Sequence, residues 1–137
     1  MKLYADEPGH RRIRALQTLV VSALARVEVP SALWRKARSG ELDDAAASVL
    51  VSAFEVDFHG DPNSDARFTI VPPGESVLIM AARETARHAL RAYDAVQLAS
   101  ALAVRELDPR CNEFACFDIE LRRAASRAGF LLLPDTA

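Results

Sequence analysis

At 137 residues, half of them hydrophobic and 26% charged, the chain has the size and balance of one soluble globular domain with room for a core. Apolar runs such as Leu19-Val20-Val21 and Val49-Leu50-Val51 are too short to cross a bilayer, and no basic segment leads into an apolar one, so a cytoplasmic protein without a membrane span is expected. A net charge of −2 excludes the strongly basic balance of a duplex-wrapping protein, while 15 arginines against 2 lysines neither select nor exclude a nucleic-acid substrate.

The opening Met1-Lys2-Leu3-Tyr4-Ala5-Asp6 reads as a last helical turn, stopped by Glu7-Pro8-Gly9. Residues 9–19 carry Ile13, Leu16 and Leu19 at helical spacing, and the apolar run 19–23 suits a strand buried on both faces. A helix follows to Arg38 and closes at Ser39-Gly40, where glycine suits a left-handed cap. Pro30 either kinks this helix or marks where its regular part starts. Asp43 or Asp44 can cap the next helix, whose Ala46, Leu50, Phe54 and Phe58 repeat every four residues.

A loop over 59–65 leads to a strand over 68–71, which Pro72-Pro73-Gly74 ends. A helix over 75–90 puts Val77, Met80, Ala81, Glu84 and His88 along one side. Another over 94–106 has Leu98, Ala101, Leu102 and Arg105 in step. A strand over 113–117, a helix over 119–127 and a strand over 130–133 complete the chain. Helices alternating with uniformly apolar strands predict an α/β sandwich with a mainly parallel sheet and no dividing linker.

Cys111 and Cys116 stand in a C-x4-C spacing with no second pair, and His10, His59 and His88 are isolated, so neither zinc nor a histidine metal cluster is expected. The acids are more informative. Asp118 follows the strand 113–117 directly, where ligands bind in open α/β sheets, and it is also a good helix N-cap. Asp94 has capping-box spacing to Gln97. Glu28, between Val27 and Val29, can pair with Arg26 or Arg35. Taken together, acids without Cys or His suit Mg²⁺ or Mn²⁺, ions that support phosphodiester hydrolysis; spacing alone does not establish that they converge.

The segments "KLYADEPG", "VVSALARVEVPSALWR", "FTIVPPGESVLIMAARETARHALRAYDAVQLASAL" and "FACFDIELRRAASRAGF" follow one another in an order that resembles the PIN-domain family, in particular the VapC-like ribonuclease toxins of type II toxin–antitoxin pairs. The resemblance covers nearly the whole chain and implies a single PIN-like domain over 1–137, a three-layer α/β/α sandwich that hydrolyses RNA with Mg²⁺ or Mn²⁺ held by clustered acids. By position, Glu28, Asp94 and Asp118 match the family's second, third and fourth acids and are the expected catalytic and metal-binding residues. Arg91 and Arg122 are candidates for holding the RNA backbone. A homodimer and a small VapB-like antitoxin partner are implied as well.

Two departures stand out against the family pattern. Cys116 occupies a position that is often Thr or Ser, placing a weak donor where a hydroxyl is usual. The apolar first strand and its Asp, which precede the "KLYADEPG" segment in relatives, have no counterpart after Met1. Such a central strand buries about three large side chains at about 1.5–3 kcal/mol each, against a domain stability of about 5–15 kcal/mol. The expectation is therefore an upstream start codon, a truncated chain, or a marginal fold that borrows a strand. The other functional readings are a catalytically impaired PIN remnant acting as an antitoxin-binding or dimerisation module, and an unrelated α/β binding domain whose aspartates only cap helices.

Overall fold

The computed structural model describes Tyr4, residues 10–14, Leu16 and residues 19–134. The expected turn and stop over residues 1–9 lie outside the described residues apart from Tyr4. The architecture is mixed α/β, in two compact units, Met1–Ile70 and Val71–Ala137. Among the described residues no helix is long and apolar enough to cross a membrane.

The first unit contains α1 (His10–Arg14), β1 (Leu19–Ser22), α2 (Ala25–Arg38) and α3 (Asp44–His59), and β2 (Phe68–Val71) pairs with β1 as it leaves the unit. Leu19, which fits both the helical spacing before it and the apolar run after it, opens β1 as the run predicts, while α1 ends at Arg14. β1 is also not buried on both faces: Leu19 and Val21 pack on the aromatic core, while Val20, pointing the other way, is 36% exposed. Alternation along the pleat puts Val20 on the side opposite Leu19 and Val21, the side it shares with the buried Ser22.

α2 starts at Ala25, so Pro30 lies inside the helix and does not begin it. The bond it removes is the one to the carbonyl of Arg26, an exposed residue near the helix start. At the other end, the Gly40 N–H donates to the Ala37 carbonyl (3.0 Å) and the Glu41 N–H to the Lys36 carbonyl (3.0 Å), with Gly40 at φ 79°. This pair of bonds is a Schellman closure, which the αL residue makes possible.

Asp43, not Asp44, caps α3, its Oδ1 accepting from the Ala46 N–H at 2.6 Å. The buried stripe of α3 is Ala47, Phe54 and Phe58, so Ala46 yields its expected place to Ala47. Phe54 and Phe58 form the core with Phe68 of β2, and the Tyr4 ring meets Phe54 edge-on at 5.8 Å. The Tyr4 hydroxyl donates to Asp57 Oδ2 at 2.6 Å; burial and this carboxylate push the phenol far above its ordinary pKa. α3 ends at Gly60, where φ is 77° and a Cβ would come within 2.8 Å of the Ser64 carbonyl oxygen, so glycine is required.

The second unit holds α4 (Glu75–His88), α5 (Ala92–Leu107), β3 (Glu113–Ala115), α6 (Ile119–Arg127) and β4 (Leu131–Leu133). α4 packs on α5, α5 on α6, and α6 on β4. β3 and β4 run parallel with Glu113 opposite Leu131, Phe114 opposite Leu132 and Ala115 opposite Leu133. Among the described residues the strands thus form two two-stranded sheets, with parallel pairing between β3 and β4.

Val77, Ala81 and Glu84 are buried on α4 as the helical period predicts, whereas α5 buries Ala95, Val96, Leu98, Ala99 and Ser100 in place of the Ala101, Leu102 and Arg105 stripe. Ala95 and Ala99 are fully buried, and side chains this small let neighbouring backbones approach closely. Arg105 turns to α6, donating to the Ala128 carbonyl at 2.8 Å with its guanidinium 4.1 Å above the Phe130 ring. α4 closes two residues earlier than expected, at His88, because Ala89 takes a left-handed φ of 53°.

Candidate functional site

Asp94 is not a helix cap. α5 begins two residues before it, Arg91 is the N-cap without a side-chain bond, and the Ala95 N–H already reaches the Arg91 carbonyl at 2.9 Å. The capping-box spacing to Gln97 is therefore a misleading local signal. Asp94 is the third residue of the helix, half-buried, where the helix dipole favours a carboxylate. Its pKa is nevertheless raised, first by desolvation and next by the negative charge of Asp118, with Arg91 opposing both. The two aspartates come from different elements, and they repel each other through the protein.

Asp118 does cap its helix: Oδ1 accepts from the Leu121 N–H at 2.9 Å. That bond engages one carboxylate oxygen, and a carboxylate has acceptor capacity beyond one bond. Cys116, between β3 and this cap, is 8% exposed. Burial pushes its thiol up to about 12, Arg122 works against that, and the charges of Asp118 and Asp94 add to it. The thiol stays protonated at neutral pH and senses both carboxylates. Position 116 thus belongs to the same electrostatic neighbourhood as the two acids.

Glu28 belongs to the first unit, as the fourth residue of α2 and half-buried, its N–H donating to the Leu24 carbonyl at 3.0 Å. Arg26, one of its expected ion-pair partners, lies 3.8 Å from Glu55 of α3. Within the described residues of either unit, no three His, Cys, Asp or Glu side chains gather into a group that could hold a metal. What the second unit brings together is a pair of aspartates.

No family model and no curated protein sequence matches this chain.

The arginines divide differently from the sequence expectation. Arg91 is exposed and close enough to Asp94 to offset its raised pKa. Arg122 is buried and committed to the backbone: Nη1 donates to the Cys116 carbonyl (2.8 Å) and the Leu133 carbonyl (3.2 Å), and Nη2 to the Pro134 carbonyl (2.8 Å). It ties the end of β4 to the segment before Asp118 and is not a surface cation awaiting RNA. The sequence reading passes over Arg123 and Arg127, which are exposed on the same helix. With Ile119, Arg122, Ser126 and Leu132 they line a groove of about 400 Å³. Their spacing of four after Ile119 and Arg123 was the available signal, since such residues share a helix face.

Proposed function

We propose that this chain is a metal-dependent endoribonuclease of the PIN-domain, VapC-like toxin kind, in which Asp94 and Asp118 hold Mg²⁺ or Mn²⁺ with Glu28 as a further ligand. The observation that supports the reading is the placement of Asp94, in the first turn of α5, near enough to Asp118, at the start of α6, for their charges to interact. Helix capping does not account for Asp94, and two like charges held together are costly unless a cation neutralises them. Their donor atoms are hard carboxylate oxygens, which fit Mg²⁺; that ion is commonly bound through one or two carboxylates with waters completing its shell. When bound, such an ion supplies Lewis acidity toward a phosphoryl oxygen and lowers the pKa of water.

The chain's own contributions follow from the site. Asp118 is oriented by its bond to the Leu121 N–H, so the cap also aims the carboxylate. Arg91 places a cation beside Asp94, where it can meet a phosphate of the substrate. The protonated Cys116 thiol offers a weak donor next to both acids. Glu28 joins the site on the strength of the family resemblance, as do the three-layer α/β/α sandwich, the homodimer and the VapB-like antitoxin.

Incubating the protein with RNA and Mg²⁺ or Mn²⁺ tests the proposal. Asp118→Asn is the informative variant, because Asn keeps the helix cap while removing the charge. Cleavage should require the metal and fall at least tenfold, roughly, in Asp94→Asn, Asp118→Asn and Glu28→Gln, a loss no smaller than disturbing a metal's outer-shell partners causes. Undiminished cleavage in Asp94→Asn and Asp118→Asn would remove these acids from the reaction.

A further inference from the structure

The geometry points to the α6–β4 groove as the track for the RNA strand flanking the scissile phosphate, with Arg123 and Arg127 each taking one backbone phosphate. The inference rests on the ribonuclease reading and adds a binding site to it. The groove's first lining residue, Ile119, directly follows Asp118, so a strand lying in it leads to the candidate acids. Arg123 and Arg127 are exposed, four residues apart and about 6 Å along the helix axis, on one face. An extended strand can therefore present one phosphate to each guanidinium.

The groove also has what a single strand needs besides charge. Ile119 and Leu132 supply apolar surface for a ribose or base, and the arginine stems extend it. Arg122, at the same groove, has its donors committed to carbonyls and keeps the floor in place. α6 carries three arginines and one glutamate, a local positive surplus on a chain whose net charge is −2. Glu120 competes for Arg123: its Oε1 accepts from Arg123 Nη1 at 2.8 Å. Both partners are exposed, so the bond is weak enough for a phosphate to displace it.

Fluorescence anisotropy with a short 2′-O-methyl single-stranded RNA in EDTA separates binding from hydrolysis and from metal. The Arg123→Gln/Arg127→Gln double variant should bind about 25-fold more weakly at about 0.1 M salt, with a salt slope shallower by about 1.4, as expected for two lost phosphate contacts on a single strand. Glu120→Gln should bind about two- to fivefold more tightly, because it releases Arg123. Arginine-dependent binding by a protein that cleaves nothing would support the track and overturn the nuclease reading alone. Conversely, unchanged affinity and slope in the double arginine variant would overturn the track even if the wild type cleaves RNA. An oligo-glutamate peptide bound as tightly, and with the same arginine dependence, would assign the groove to an acidic protein partner and overturn the RNA assignment.

Discussion

Replacing Arg122 by Met tests whether this arginine is a structural clamp. Met retains much of the aliphatic volume but none of the three bonds to the Cys116, Leu133 and Pro134 carbonyls. A hydrogen bond from a charged donor contributes about 1.5–3 kcal/mol, and a buried acceptor left without a partner costs about 1–3 kcal/mol. The Leu133 carbonyl keeps a second donor, the Cys116 N–H at 3.3 Å, so the three losses do not simply add. A destabilisation of about 3–5 kcal/mol is expected, a large part of the about 5–15 kcal/mol that holds a domain together. Urea unfolding followed by circular dichroism reads it directly: with a slope of about 2 kcal/mol/M, the midpoint should fall by about 2 M. Arg122→Lys, whose ammonium cannot span the fork, should lie between the two. A loss below about 1 kcal/mol in Arg122→Met would refute the clamp and return Arg122 to the list of candidate RNA contacts.

Three further outcomes are expected. Asp94→Asn should raise stability at neutral pH without metal: the folded-state pKa is raised, so the wild type loses stability as pH climbs above the ordinary carboxyl value of about 4. That advantage should vanish in acid and shrink when Mg²⁺ or Mn²⁺ is added to both proteins; an equal margin in thermal unfolding at acid and neutral pH would contradict it. Ala89→Gly should stabilise by about 1 kcal/mol in denaturant titration, because Ala89 sits at φ 53° where a Cβ is penalised. On α4, the buried Glu84 Oε2 lies 3.1 Å from His88 Nε2, and among the described residues neither Glu84 Oε2 nor His88 Nδ1 has a hydrogen-bond partner. His88→Leu alone should cost about 3 kcal/mol and Glu84→Leu/His88→Leu close to nothing, so additive losses in the double-mutant cycle would count against a coupled pair.

Much of the secondary structure was legible in the chain because its determinants are local. The bounds of β2 and α6, the Asp43 and Asp118 caps and the left-handed Gly40 all follow from a few adjacent residues. Where local signals compete, the reading slipped: Asp94-Ala95-Val96-Gln97 looks like a helix start, but α5 begins at Ala92. The uniformly apolar Leu19-Val20-Val21 suggested burial on both faces, but only contact with the Phe54, Phe58 and Phe68 cluster decides which side chains are covered.

Taken one at a time, Asp94 and Asp118 read first as helix caps, and it is the family resemblance, not their spacing, that groups them with Glu28. That the two charges act on each other, that Cys116 lies between their fields, and that Arg122 is spent on carbonyls eleven and twelve residues away are facts of packing. Electrostatic coupling depends on distance and on exclusion of water, and neither is written in sequence separation. Tertiary structure therefore decided which arginine is a clamp and which are left facing solvent.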